Sequence, residues 1–433
     1  MSEKSRGVPA QAGARPDEYF DEKETMLGDE RAEYFDRRIS AMAALGYERS
    51  SLVKKIFDER GIAPGDIRGV DDLQKLPVIS RSRLIELEVA DPPFGGLCDP
   101  EARIDRIFTS PGPVYEPHLG EDDPLWARAY WAAGFRPGDV VLNAFSYHMV
   151  AAGLTFHGGL RRVGATVVPS GSSGTQQQLQ LIRDLKATGY TGTPSFLMSI
   201  IDKAHEAGHD FVRDFSLRKA CFGAEPLQPS LRRRFEEEFS IDTYQMYGAT
   251  EVGDIAYECR DKGPWHICEE VIVEIVDPET GRRLPPGELG EVVVTRLNST
   301  FFLMRFGTGD LSSLVPGPCA CGRASNMLSG IAGRLGDAVK VRGMFVAPSQ
   351  LKRLSALLGG LKFQLVVTRQ GHRDHLLARL ETPLAGDARE DLMVTFERSF
   401  REICTVKADA LEAVPPGTLK GDLPSMEDRR TWK

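Results

Sequence analysis

The sequence predicts an α/β protein with a large N-terminal domain, built on parallel or mixed sheets plus a β-rich subdomain, and a small C-terminal α+β domain after a hinge. At 433 residues, the chain is long enough to form two or three hydrophobic cores. Short β-leaning segments alternate with helical stretches after Gly138, and from Val271 the residue pattern is mainly that of β-strands. Beyond Gly333, new strand and helix signals appear. We therefore expect domains at 1–333 and 334–433.

The N-terminal part of the chain is expected to be helical. A polar lead-in extends to about residue 25. From Arg31 to about Glu59, apolar residues recur at helical spacing, which predicts amphipathic helices. The segment 61–84 is rich in turn residues and predicts a connector with a short helix.

The middle of the chain predicts a parallel sheet. The β-leaning segments are DVVLNAF (139–145), GATVVPS (164–170), TGYTGTP (188–194) and LRKACFGAEP (217–226). Helical stretches lie between them, which is the pattern of βαβ units with helices on both faces of the sheet. The β-rich part then follows at 270–277 and 291–297, joined by Gly/Pro turns.

Composition and charge restrict the classes of function. A net charge of -8 argues against nucleic acid as a partner, because phosphate backbones require a basic face. No apolar run is long enough to span a membrane, and the N-terminal residues lack the apolar core of a secretory signal. The seven cysteines are not a disulfide framework, so we expect a cytoplasmic protein with reduced thiols.

Four motifs occur in a fixed order along the chain: FGAEP (222–226), YGATE (247–251), RFGTGDLSSL (305–314) and GRLGDAVKVRG (333–343). Each alone is also typical of a tight turn at a strand end. Together they resemble the phenylacetate-CoA ligase branch of the adenylate-forming acyl-CoA ligases, and the similarity extends from residue 72 to near the C-terminus.

The resemblance implies roles for the matched positions. Gly223, Ala224 and Glu225 would line an adenine pocket, with Tyr247 and Gly248 against the purine. Thr250 and Glu251 would act at the phosphates and Mg²⁺. In the later motifs, Asp310 would bind the ribose hydroxyls, and Asp337 would be the hinge, with Arg334 and Lys340 nearby.

A cysteine–histidine cluster predicts a structural zinc site. Six residues separate Cys259 from His266, and Cys319 and Cys321 follow as a Cys-x-Cys pair. Thiolate and imidazole are preferred zinc ligands, and four protein ligands leave no open position for catalysis. Members of the resembled branch carry a similar cluster. The alternative is a set of buried apolar cysteines with a surface histidine.

The phosphate loop of the resembled family is altered. The family has a Ser/Thr/Gly run that ends in Lys-Pro, whereas 109–117 reads TSPGPVYEP. Prolines remove backbone donors, and Glu116 replaces the lysine with a negative charge. The segment GSSGT (171–175) looks more like a phosphate loop, but its position matches a turn and helix N-cap.

The C-terminal catalytic lysine of the family is also missing. Asp422 stands in its place after the PGTL turn, and Lys420 lies two residues earlier, where a shifted loop would let it substitute. Exchanging a cation for an anion at a phosphoryl-transfer centre removes transition-state stabilisation. The two changes therefore predict that adenylation is lost or severely impaired.

An acyl pocket is expected at one edge of the predicted sheet. Tyr147 and His148 lie on a strand-to-helix turn, and Thr193 and Pro194 end a strand at the same edge. His148 is a candidate general base, or else a hydrogen-bonded part of the pocket wall. Cys221 is a candidate acyl carrier, or else a small buried residue.

These features lead to one principal hypothesis and two alternatives. The first is an acyltransferase that moves an aromatic acyl group from a coenzyme A thioester, without ATP, to an acyl carrier protein thiol, an amine or an alcohol. The second is an ATP- and Mg²⁺-dependent aryl-acid:CoA ligase that forms an acyl-adenylate. The third is an inactive homologue that serves as a binding subunit. Family members are often dimeric, so a homodimer is also expected.

Overall fold

A computed structural model of the protein describes residues 18–110, 114–118, 125–341, 344–370 and 373–430. The chain divides into two compact units, and the first comprises 1–273, 294–306 and 316–328. The second comprises 274–293, 307–315 and 329–433, so it contains the predicted C-terminal domain and three short segments that precede it. The boundary predicted after residue 333 stays a prediction.

The helices are α1 (Gly28–Arg49), α2 (Ser51–Arg60), α3 (Arg81–Ala90), α4 (Ala127–Ala132), α5 (Ala151–Arg162), α6 (Thr175–Asp184), α7 (Pro194–Glu206), α8 (Phe211–Asp214), α9 (Pro229–Arg233), α10 (Pro348–Leu357) and α11 (Asp387–Cys404). The strands of the first half are β1 (Ile79–Ser80), β2 (Ile107–Ser110), β3 (Val114–Pro117), β4 (Val140–Asn143), β5 (Thr166–Val168), β6 (Gly189–Gly192), β7 (Lys219–Phe222), β8 (Asp242–Ala249), β9 (Gly253–Tyr257), β10 (Trp265–Ile267) and β11 (Val271–Val276). The remaining strands are β12 (Gly290–Arg296), β13 (Phe306–Ser312), β14 (Leu314–Val315), β15 (Met327–Leu328), β16 (Gly333–Arg334), β17 (Val339–Val341), β18 (Met344–Val346), β19 (Phe363–Gln370), β20 (Arg373–Glu381), β21 (Ala410–Val414) and β22 (Ser425–Asp428).

A mixed sheet forms the centre of the first unit. Strands β5, β4, β6, β7 and β8 lie side by side in that order and are parallel. Beyond β8, the strands β9, β10 and β15 continue the sheet in antiparallel pairings. Every residue of β6 is buried, as expected for a parallel strand with both faces covered. The predicted α/β fold class is confirmed.

The helices α1 and α2 cover the region that the apolar spacing predicted to be helical, and α1 begins three residues earlier, at Gly28. The Ser50 hydroxyl accepts a hydrogen bond from the Val53 N–H at 3.1 Å and caps the start of α2. Gly61 ends that helix with a φ of 64°, a left-handed conformation that glycine adopts without strain. The buried apolar faces of α1 and α2 share a core with Phe302, so they contribute to the first unit.

Buried ion pairs hold the N-terminal segment that precedes α1. The Arg128 guanidinium is 1% exposed and pairs with Asp21 at 2.5 Å and with Glu270. Glu24, also buried, accepts a hydrogen bond from Arg323 at 2.6 Å. Removing one partner of such a pair leaves an uncompensated buried charge, so these contacts fix the segment in place.

A two-stranded hairpin carries the altered phosphate loop. β2 pairs with β3 in antiparallel register, with Ser110 opposite Val114. The loop residues 111–113 lie outside the described residues. The structure describes the remaining loop positions, which include Ser110 and Glu116. Helix α3 packs against β3.

The second unit contains a four-stranded sheet with the order β21-β20-β19-β22. β19 and β20 are antiparallel, whereas both outer pairings are parallel. Helices α10 and α11 contribute Leu354 and Phe400 to the core of this unit. Lys420 and Asp422 are exposed in the segment between β21 and β22.

None of the helices in the described part of the chain has the length and apolar character needed to cross a membrane.

Candidate functional site

A cavity of about 170 Å³ lies in the first unit, at the carboxyl ends of parallel strands. Its aromatic wall contains Phe108, Trp126, Phe145 and Phe156. Its opposite wall follows β7 and β8 and contains Gly223, Ala224, Gly248, Ala249, Thr250 and Glu251. This crevice is where open α/β sheets commonly bind ligands.

Contacts among the aromatic rings define one side of the cavity. The Trp126 ring centroid lies 4.4 Å from that of Phe156, which lies 4.4 Å from that of Phe145. The Trp126 indole N–H donates to the Thr155 hydroxyl at 3.2 Å, which fixes the orientation of the indole. The result is an apolar surface suited to a flat ring.

The backbone approaches closely at the opposite wall. A Cβ added at Gly248 would lie 2.3 Å from the Gly253 carbonyl oxygen and 2.5 Å from the Trp126 ring, so only glycine fits there. Ala224 has a φ of 62°, an uncommon conformation for a residue with a Cβ, and such conformations cluster at ligand sites. Both positions belong to motifs that the sequence identified.

The structure brings together five of the predicted site residues. These lining residues are Gly223, Ala224, Gly248, Thr250 and Glu251.

Other predicted residues of the first unit do not line the cavity within the described part of the chain. His148 is exposed, and the Tyr147 hydroxyl is held by the Asn143 amide at 2.8 Å. Glu225 accepts a hydrogen bond from Ser195 at 2.6 Å. The remaining predicted residues outside this lining are Thr193, Pro194 and Tyr247.

Cys221, the alternative acyl carrier, is 1% exposed, and burial raises the pKa of its thiol. A protonated thiol in that position is a poor nucleophile.

The predicted ribose-binding and hinge residues belong to the second unit. Asp310 in β13 lies opposite Arg334 in β16, and the Arg334 Nε lies 2.9 Å from Asp310 Oδ1. Arg334 is largely exposed. The side chains of Asp337 and Lys340 are outside the described side chains.

A cluster of carboxyl groups around one guanidinium lies beside the cavity. Arg81, the first residue of α3, pairs with Glu251 and donates to the Ser110 hydroxyl at 3.2 Å. The Ser110 hydroxyl in turn donates to Glu116 Oε1 at 2.8 Å. Glu88, on the buried face of α3, accepts the Tyr115 N–H at 2.9 Å.

The motifs did not identify Arg81 or Glu88. Glu88 lies four residues after Leu84 on the buried face of α3, and a charge on the apolar stripe of a helix is a signal that the sequence does contain.

Burial raises the pKa of Glu116 to about 7, and the charge of Glu251 adds to the effect. The Ser110 hydrogen bond, the nearby Thr250 hydroxyl and Arg81 act in the opposite direction. Burial likewise raises the pKa of Glu88 to about 7, against the Tyr115 hydrogen bond. The described contacts place one guanidinium beside these three carboxyl groups, and the raised pKa values of Glu88 and Glu116 favour their protonated forms near neutral pH.

The predicted zinc ligands converge in the first unit. The candidate ligand atoms of Cys259, His266, Cys319 and Cys321 all lie within 4.8 Å of one another. The Cys259 and Cys319 sulfurs are 3.7 Å apart, and Cys321 Sγ lies 3.4 Å from His266 Nε2. A tetrahedral site with ordinary Zn–S bonds has sulfurs about 3.8 Å apart, so this donor set fits zinc.

Two further contacts support the fit of this cluster. His266 Nδ1 lies 3.1 Å from the Ser325 hydroxyl, which leaves Nε2 directed at the cysteines. The hydrogen bonds with Cys259 and His266 lower the pKa of the Cys321 thiol, whereas the same Cys321 hydrogen bond raises the pKa of Cys259 and burial raises that of Cys319. A thiolate is the form that binds metal.

The raised pKa of Glu116 predicts a pH-dependent stability difference for Glu116→Gln. The protonated carboxyl stabilises the folded state below the ordinary pKa of 4.5, and this contribution is lost as the pH rises through about 7. As the pH changes from acidic to alkaline, the free energy of unfolding of the variant is expected to rise by up to about 3 kcal/mol relative to that of the wild type.

Urea denaturation of both proteins across this pH range measures the difference. Glu86→Gln, on the exposed face of helix α3, is the control, and its free energy of unfolding should follow that of the wild type. A constant difference between Glu116→Gln and wild type across the range would contradict the prediction.

Sequence comparison with known proteins identifies relatives of this chain. The family model for AMP-binding enzymes matches residues 124–300. The chain is 30% identical to phenylacetate-coenzyme A ligase of Thermus thermophilus over 378 residues, 84% of each chain. It is 33% identical to phenylacetate-coenzyme A ligase of Aromatoleum evansii over 350 residues, 77% of this chain and 78% of that one.

A solved structure supports the fold. An open conformation of 2-hydroxyisobutyryl-CoA ligase, in complex with 2-HIB-AMP and CoA, matches with a TM-score of 0.79 at 24% identity and covers 97% of this chain and 95% of that one.

The relatives favour one of the hypotheses raised by the sequence. They are ligases, so they support an enzyme related to acyl-CoA ligases and favour the ATP-dependent alternative over ATP-independent acyl transfer. The resemblance seen in the four motifs is confirmed: the chain belongs to the phenylacetate-CoA ligase branch of the adenylate-forming enzymes.

Proposed function

We propose that this protein is an ATP-dependent ligase that joins an aromatic carboxylic acid to coenzyme A. The observation that carries the proposal is the ring-lined cavity, whose second wall is formed by the family motifs at 223–224 and 248–251. An apolar cavity beside a polar strand end suits an acid with a flat apolar body.

The reaction has two steps. The substrate carboxylate attacks the α-phosphorus of ATP, giving an acyl-adenylate and pyrophosphate. The coenzyme A sulfur then attacks the acyl carbonyl carbon, AMP leaves with the electron pair of the broken bond, and the thiol proton is released.

Roles follow for the residues of both units. Thr250 and Glu251, at the end of β8, would hold phosphate and Mg²⁺, and the cation would offset negative charge on the phosphates. Glu251 pairs with Arg81 in this structure, so cation binding requires that ion pair to open.

In the second unit, Asp310 would accept hydrogen bonds from the ribose, with Arg334 and Lys340 as further ligand contacts. Gly223, Ala224, Glu225, Tyr247 and Gly248 would form the adenine pocket.

A second candidate function is ATP-independent transfer of an aromatic acyl group from coenzyme A to an acyl carrier protein thiol, an amine or an alcohol. Glu116 favours it, because a carboxyl group replaces the phosphate-loop lysine and lies in the cavity wall. Asp422, in place of the C-terminal lysine, favours it as well. In this reaction the acceptor attacks the thioester carbonyl, coenzyme A leaves, and the acceptor proton ends on the departing sulfur.

The homodimer and the cytoplasmic location remain predictions.

Pyrophosphate exchange into ATP, driven by a panel of aromatic acids, tests the ligase proposal. We expect acid-dependent exchange in the wild type and a loss on the order of 100-fold in Glu251→Gln, because the metal-binding charge is removed. Glu86→Gln is the surface control and should retain exchange.

Two outcomes would contradict the ligase proposal. Absence of exchange together with ATP-free acyl transfer from aryl-CoA would establish the second candidate. Absence of both activities would leave a binding subunit.

We also propose that Cys259, His266, Cys319 and Cys321 hold a structural zinc ion. The proposal is supported by the mutual distances of their ligand atoms. The metal would cross-link the end of β9, the strand β10 and the 319–321 segment, and its role would be folding stability.

Metal analysis tests the zinc proposal. We expect one zinc per chain in the wild type, loss of zinc and a lower melting temperature in Cys321→Ala, and the same lowered melting temperature after chelation of the wild type. Cys268→Ala removes a buried cysteine outside the cluster and should keep the metal. Full zinc content in Cys321→Ala, or none in the wild type, would contradict the assignment.

A further inference from the structure

The cavity wall contains a carboxylate oxygen that lacks a protein partner. Glu116 lines the cavity and is 4% exposed. Its Oε1 accepts the Ser110 hydroxyl, whereas Oε2 has no hydrogen bond to any described residue. The Thr250 hydroxyl is close by, but its hydrogen bond goes to Glu251 Oε2 at 3.2 Å. A buried acceptor without a donor is costly, so Oε2 is an acceptor available to a ligand.

The other charged groups of the lining are already engaged. Glu251 pairs with Arg81. Arg296 donates to Asp254 at 3.1 Å, and His118 Nδ1 lies 3.1 Å from Asp105. Glu116 is therefore the lining group whose polar capacity a ligand would satisfy.

We propose that the cavity selects an aromatic acid or acyl group whose ring carries a hydroxyl or amino substituent, and that Glu116 is the specificity-determining residue that accepts its hydrogen bond. The inference rests on the proposed function for the identity of the ligand as an aromatic acid. A cavity of about 170 Å³ matches a single ring with a small substituent, because a void of about 150 Å³ accommodates benzene.

The hydrogen-bond directions around Ser110 distinguish the two carboxylate oxygens of Glu116. Its hydroxyl accepts from Arg81 and donates to Glu116, so Glu116 Oε1 is held as an acceptor. In Glu116→Gln, the amide oxygen takes the Ser110 hydrogen bond, and the NH₂ group replaces Oε2 at the cavity. The variant therefore exchanges an acceptor for a donor at nearly constant shape.

The experiment measures dissociation constants, without ATP, for benzoate and the positional isomers of hydroxy-, amino- and methoxybenzoate. Burial raises the pKa of Glu116 to about 7, so measurements at about pH 8.5 keep it as a carboxylate. We expect the wild type to bind one hydroxy or amino isomer roughly tenfold or more tightly than benzoate and its methoxy counterpart. The hydroxy and amino arms show which donor is preferred.

Two variants and a control complete the test. Glu116→Gln should lose the preference for donors and favour the methoxy compound, and Glu116→Leu should show no preference. Glu88→Gln alters a buried carboxyl beside the hairpin that does not line the cavity, and it should keep the wild-type preference.

Equal wild-type affinities, a donor preference that survives in both Glu116 variants, or no binding of any acid would each overturn the proposal. Binding is measured without ATP, so the affinities can be interpreted even if the protein shows no ligase activity.

Discussion

The Arg81 guanidinium connects the parts of the chain that form the polar end of the cavity. It binds Glu251 at the end of β8 and Ser110 at the end of β2, and it is itself the first residue of α3. Three elements distant in sequence thereby meet at one charge. Glu116 is linked to the same cation through Ser110, so the hairpin and the strand end share one hydrogen-bonded network.

The charge balance of this network determines its chemistry. Buried carboxylates are stable only when they are paired, and among the described ion pairs Arg81 pairs with Glu251. No ion pair among the described residues involves Glu88 or Glu116, and burial raises the pKa of each to about 7. A carboxyl group that exchanges its proton near neutral pH differs from the permanent negative charge that the sequence suggests at position 116. It also differs from the lysine of the resembled family, which is always a cation at that pH.

Local signals predicted the parts of the fold and site that depend on local sequence. The alternation of strands and helices after Gly138 fixed the parallel sheet, because each βαβ unit carries its own hydrophobic periodicity. The motifs at 223–226 and 247–251 supplied cavity residues, because strand ends of a parallel sheet meet at one edge. The convergence of Cys259, His266 and the Cys-x-Cys pair also followed from residue type and spacing.

The rest depends on packing between distant segments. The turn that carries His148 was expected to direct the imidazole to the cavity, but the side chain is exposed, and Phe145 from the same turn lines the cavity instead. Which residue of a turn faces inward depends on tertiary contacts that composition does not encode. The environment of Glu116 likewise requires Arg81 and Glu251, which lie 35 and 135 positions away in the sequence.

The central claim is that Glu116 is a buried carboxyl group in the cavity wall whose ionisation is displaced toward neutrality. The most direct measurement is an infrared titration of ¹³C-glutamate-labelled protein, with the Glu116→Gln spectrum subtracted to isolate this group. The account predicts that the carboxyl band of Glu116 converts to carboxylate with a midpoint at about pH 7. A midpoint near the ordinary value of 4.5 would contradict it.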